Sequence, residues 1–130
     1  MDHESEVVKA FFLPAKRERY LEFLTNPKRR RKLIAELAHF GGLDPRWCVE
    51  IPPSLQRAES IEDLLHRRGA GPLCWVISER SQLDGRQMGL GEALDATVGG
   101  QMGTILSCIP GELGYFEDEE KRWILQRKQR

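Results

Sequence analysis

Apolar residues along this chain follow two spacings. Tyr20, Phe23 and Leu24, and again Leu33, Ile34, Leu37 and Phe40, recur at three- and four-residue steps with charged residues between them, the pattern of helices buried along one stripe. By contrast, Leu73-Cys74-Trp75-Val76-Ile77 and Thr104-Ile105-Leu106-Ser107-Cys108-Ile109 are short runs without alternation, which suits strands covered on both faces.

Local signals place the ends of these elements. The first helix runs from Ala15 to about Thr25. Asn26-Pro27 starts the next, because an Asn side chain can cap free N–H groups and proline is tolerated at the first helical position. That helix reaches about Phe40, where Gly41-Gly42 offers residues able to adopt the left-handed conformation. Pro45, Pro52 and Pro53 exclude a long element between 41 and 57, although Asp44-Pro45 can open one helical turn through Trp47. Ser60 with Asp63 resembles a capping box ahead of Ile61, Leu64 and Leu65, in a helix ending before Gly69. Leu90, Leu94 and Val98 suggest a short helix stopped by Gly99-Gly100, and Val7 to Leu13, stopped by Pro14, is an edge strand or a helical turn, the strand being the preferred reading.

Strand, helix, strand from 73 to 109 leaves room for a crossover between parallel neighbours, so a parallel pair is expected. After Pro110-Gly111, the segments Leu113 to Phe116 and Trp123 to Leu125 flank Glu117-Asp118-Glu119-Glu120 as an antiparallel hairpin, and Gln126 to Arg130 should fray. The expected fold is α+β: one domain over 1–130, a small mixed sheet packed by N-terminal helices.

The composition narrows function only a little. Twenty basic and twenty acidic residues cancel, so net charge selects no partner. The acidic start and the lack of a run near the ~20 apolar residues of a membrane helix point to a cytoplasmic protein without membrane association. Cys48, Cys74 and Cys108, odd in number and widely spaced, read as free thiols.

Within that balance one segment stands out. Lys28, Arg29, Arg30, Arg31 and Lys32 occupy the first turns of a helix, where the macrodipole favours acidic residues instead. Residues 14 to 32 hold eight Lys or Arg against two Glu. A bound anion would offset this charge, which makes phosphate, nucleic acid or an acidic protein the expected partner class. The competing offset is internal, because residues 79 to 120 hold nine Asp or Glu against two Arg.

A second surface follows from the expected parallel pair. It would bring Ser78, Glu79, Arg80 and Asp84 beside Ser107 and Cys108 at the sheet edge, where open sheets bind ligands. In an enzyme built there, Glu79 or Asp84 would be the general base, Arg80 would hold an anion and Cys108 would be the nucleophile. His3, His39 and His66 share no metal-ligand spacing with each other or with the cysteines, and no cofactor or metal motif is present. Glu119-Glu120-Lys121 has the Glu-x-Lys spacing of some nucleases but lacks an upstream Pro-Asp. The leading expectation is a binding or regulatory module rather than an enzyme, contacting its partner through the basic helix start. The alternative is a small enzyme or ligand-binding protein at the sheet edge.

Overall fold

The computed structural model describes residues 2–127. In chain order the regular elements are α1 (His3–Phe11), α2 (Arg17–Phe23), α3 (Pro27–Glu36), β1 (Cys48–Glu50), α4 (Ala58–Arg67), β2 (Leu73–Ser78), β3 (Arg86–Gly89), α5 (Leu90–Thr97), β4 (Thr104–Ile109), β5 (Leu113–Glu117) and β6 (Arg122–Gln126). Four single 3-10 turns punctuate them, at Pro14–Lys16, Leu37–His39, Pro45–Trp47 and Pro53–Leu55.

The six strands form one sheet in the order β1-β6-β5-β4-β2-β3, and every neighbouring pair is antiparallel. This corrects the expected parallel pair. The physical reason is β3, a four-residue edge strand that turns back along β2 before α5 begins, so that one extra reversal sets β4 antiparallel to β2. The α5 crossover joins β3 to β4, the two neighbours on either side of β2.

Because side chains alternate along a strand, the sheet supplies two cores. On one face Ile77, Ile105, Phe116 and Leu125 meet Val7, Phe11, Tyr20 and Leu33 from α1, α2 and α3. On the other, Val76, Leu106, Tyr115 and Ile124 meet Ile61, Leu65, Leu90 and Leu94 from α4 and α5. Helices therefore cover both faces, as the unbroken apolar runs at β2 and β4 require.

Three other expectations change. Residues 7–11 belong to helix α1, so the helical alternative holds over the preferred edge strand. Asp2 caps α1 by accepting from the Glu4 N–H at 3.1 Å, Glu4 and Glu6 lie in its first turn, and Val7, Val8, Ala10 and Phe11 share its buried side. The chain leaves α3 through the Leu37–His39 turn with Phe40 extended, and Gly42 is needed for space: a Cβ there would lie 2.4 Å from the Phe40 ring. Finally, α4 starts at Ala58 with Arg57 in the cap position and no side-chain cap, so Ser60 lies inside the helix and forms no capping box.

The start of α3 matches its signal, Asn26 Oδ1 accepting from the Arg29 N–H at 2.9 Å. Of the expected frayed end, 128–130 lie outside the described residues, while Gln126 belongs to β6. Among the described residues, no helix is long and apolar enough to cross a membrane.

Candidate functional site

Helix spacing puts Pro27, Arg30, Arg31, Ile34 and Ala35 on one side of α3. This side faces the loop that follows β2, and together with Ser78, Glu79, Ser81 and Asp84 it encloses a cleft of about 520 Å³. A cleft of that size falls in the ~300–1,000 Å³ range of small-molecule sites. The two surfaces expected separately from the sequence, the basic helix start and the loop after β2, are thus opposite walls of one space.

Arg30 joins those walls. Its Nη2 donates to Asp84 Oδ1 at 3.0 Å and to Glu4 Oε2 at 2.6 Å, its Nε donates to Glu4 Oε1 at 3.0 Å, and Nη1 forms a further bond to Asp84. Donating hydrogen bonds to these carboxylates, Glu4 first, raises the guanidinium pKa further. Glu4 also accepts from Trp75 Nε1 at 2.9 Å, and Asp84 Oδ1 accepts from the Ser78 N–H at 2.9 Å. One arginine in α3 therefore ties α1, β2 and the β2–β3 loop together.

The loop is shaped by its own bonds. Ser78 Oγ lies 2.8 Å from Thr104 Oγ1 and accepts from the Arg80 N–H at 3.0 Å, and the Asp84 N–H donates to the Arg80 carbonyl at 3.0 Å. Glu79 is held at two points by Gly103: its N–H donates to the Gly103 carbonyl at 2.9 Å, and its Oε2 accepts from the Gly103 N–H at 2.6 Å. Gly103 in turn lies against the turn that ends α3, where a Cβ would sit 2.3 Å from the Leu37 carbonyl carbon.

The charge at the start of α3 is partly neutralised within the chain. Arg30 pairs with Glu4 and Asp84, and Arg29 lies 3.7 Å from Glu22. Lys32 sits over the Phe23 ring at 5.9 Å. Lys28 and Arg31 have no carboxylate partner among the described residues, and of the two only Arg31 lines the cleft. Little of the helix terminus is left for an anion. Pro27 has no N–H, and those of Arg29 and Arg30 go to the Asn26 side chain and carbonyl, so recognition here falls to side chains.

No protein family, curated protein or solved structure matches the chain.

The remaining site expectations divide. Ser78, Glu79 and Asp84 line the cleft, whereas Arg80 donates to the Ala96 carbonyl at the end of α5. Ser107 and Cys108 lie elsewhere, because the antiparallel register sets Thr104 opposite Ser78 and Ser107 opposite Trp75. Ser107 Oγ instead meets His3 Nδ1 at 2.7 Å. Cys108 belongs to the core beside α4 and α5, where burial, with a smaller contribution from Cys74, pushes its thiol up to about 12. Such a thiol is not a nucleophile at neutral pH.

Ser81 lies in the loop expected to overhang the site, whereas Glu4, Trp75 and Ile34 were missed as parts of the site or its support. The pattern of α3 could have found Ile34, one turn beyond Arg30 and Arg31 on the same stripe. No local signal marks Glu4 as the partner of an arginine 26 positions away. Among the described residues, no group of three or more His, Cys, Asp or Glu could hold a metal ion.

Proposed function

We propose that this chain is a binding module that accepts a negatively charged group of its partner in the cleft between α3 and the β2–β3 loop. The observation that carries this reading is Arg31, a cation lining the cleft with no carboxylate partner among the described residues, beside an Arg30 already neutralised by Glu4 and Asp84. Lys28, one turn earlier and exposed, adds to the attraction.

A carboxylate or phosphate group of modest size suits this surface better than a nucleic-acid backbone, which needs a track of unpaired cations. Here Arg17 donates to the Phe12 carbonyl, and Arg19, Arg29 and Arg30 pair with carboxylates. The enzyme alternative finds less support, since the cleft lining contains neither cysteine nor histidine. Three free thiols accord with a reducing compartment such as the cytoplasm.

The test is a titration of the 15N-labelled protein with inorganic phosphate and with a short oligoglutamate peptide. Salt-sensitive shifts should centre on Arg31 and Ser81. Arg31→Ala should weaken the binding that produces them by about tenfold, as expected for loss of a charge-assisted contact, while Arg29→Ala leaves it nearly unchanged. Equal binding by Arg31→Ala and wild type would overturn the reading.

A further inference from the structure

The cleft that Arg31 lines from α3 is also lined, from the β2–β3 loop, by a carboxylate that no anion would choose as a neighbour. Glu79 is fixed by two bonds to Gly103, one donated by its backbone N–H and one accepted by Oε2, while Oε1 has no hydrogen-bond partner among the described residues. Arg30 is shared between Asp84 and Glu4, and these three side chains are engaged with one another, so the groups free to meet a ligand are the Arg31 guanidinium, Glu79 Oε1 and the Ser81 hydroxyl. One is positive and one is negative. Pro27, Ile34 and Ala35 on the same side of α3 as Arg31 give an apolar strip.

From this arrangement we infer that the cleft binds a small zwitterion of the amino-acid type, with its carboxylate on Arg31, its ammonium on Glu79 and an aliphatic side chain over Pro27, Ile34 and Ala35. The inference rests on the anion-binding reading above and adds the second charge. A simple anion would gain Arg31 and be repelled by Glu79, and a simple cation would meet the reverse. Only a ligand carrying both charges gains from both groups, and specificity of this kind comes as much from repelling the wrong ligand as from attracting the right one. A fixed carboxylate strengthens the discrimination, because its position requires no ordering when the ligand arrives.

The probes are L-leucine, N-acetyl-L-leucine, which lacks the positive charge, and L-leucinamide, which lacks the negative one. Each is titrated into 15N-labelled wild type, Arg31→Gln and Glu79→Gln, and amide shifts at Arg31, Glu79 and Ser81 are followed. Gln at position 79 keeps a carbonyl oxygen to accept from Gly103, and unchanged urea midpoints verify that both variants fold. Leucine should give saturable shifts at these residues. Both blocked compounds should bind wild type at least about tenfold more weakly, the scale of one lost charge-assisted contact. Arg31→Gln should lose leucine binding, and Glu79→Gln should lose the preference for leucine over N-acetyl-leucine.

If N-acetyl-leucine binds wild type as well as leucine does and still depends on Arg31, the zwitterion is wrong and the anion site stands. If leucine and N-acetyl-leucine both leave these amides unmoved, and phosphate and oligoglutamate do so as well, both readings fall. Leucine binding that survives Glu79→Gln with its selectivity intact also overturns the inference.

Discussion

Arg30 and Asp84 stand 54 positions apart in sequence, yet two hydrogen bonds join them across the cleft. Each is about one-fifth exposed, so the pair is only partly shielded from water. Its role is chiefly geometric: the β2–β3 loop keeps its distance from α3 because Asp84 holds both the Ser78 N–H and the Arg30 guanidinium.

Removing the carboxylate should therefore cost stability in two grades. Asp84→Ala removes one of the two carboxylates on the partly buried Arg30 guanidinium, which keeps its bonds to Glu4, and leaves the Ser78 N–H without its acceptor, for an expected loss of about 1–3 kcal/mol. Asp84→Asn retains an acceptor for Ser78 and should lose less. Urea denaturation with an unchanged m-value measures both, and equal losses would show that the Ser78 bond contributes nothing.

Gly103→Ala should be among the most damaging small changes in the chain. A methyl group placed 2.3 Å from the Leu37 carbonyl carbon meets backbone that cannot rotate away, so α3 or the start of β4 must shift. Overpacking of this kind costs about 1–3 kcal/mol or more, and it displaces the residue that fixes Glu79. Thermal denaturation should show a markedly lower Tm, whereas Gly41→Ala, with nothing within 4 Å of its Cβ, should be nearly silent.

The thiols should be slow to react in the native protein. Burial raises Cys48, Cys74 and Cys108 each to about 12, so little thiolate exists at neutral pH. A disulfide reagent such as DTNB should label the folded chain slowly and all three thiols promptly in denaturant. Rapid native labelling of Cys108 would contradict its place in the core.

Acidification should destabilise the fold through His3. Burial holds its imidazole below the usual value in the folded state, outweighing the raising effect of Asp2. The unfolded chain thus binds more protons as pH falls through about 6.5, and stability declines from there toward the folded pKa. His66, raised by its hydrogen bonds to the Ala70 carbonyl and Glu62, acts in the opposite sense. The measurement is accordingly a difference: His3→Gln should flatten the decline relative to wild type, and identical slopes would exclude His3 as its source.

How much of this was legible in the sequence depended on where each determinant lies. The helical stripes of α2 and α3, the Asn26 cap and the buried runs of β2 and β4 are local patterns, and they were readable. The edge strand β3 was not, because Arg86 and Gln87 are exposed and only Met88 is buried, leaving no alternation to detect. Missing those four residues reversed a strand direction and moved Ser107 and Cys108 away from Ser78. In α1 the adjacent Val7-Val8 imitated a strand, and the capping Asp2 was the better signal. The cleft itself was readable only in part: the acidic segment 79 to 120 supplies Asp84, but the other carboxylates paired with the basic stretch, Glu4, Glu22 and Glu36, lie outside it, and only the folded chain shows that Arg30 is paired and Arg31 is left.

The position of Glu4 has a consequence for the order of assembly. Its partners are Arg30 on α3 and Trp75 on β2, while its neighbour His3 meets Ser107 on β4. The earliest helix in the chain thus has its docking surface completed only when some of the latest strands are in place. Contacts of such long sequence separation slow folding, so α1 is expected to form transiently and to settle late, locking the cleft as one of the closing events of folding.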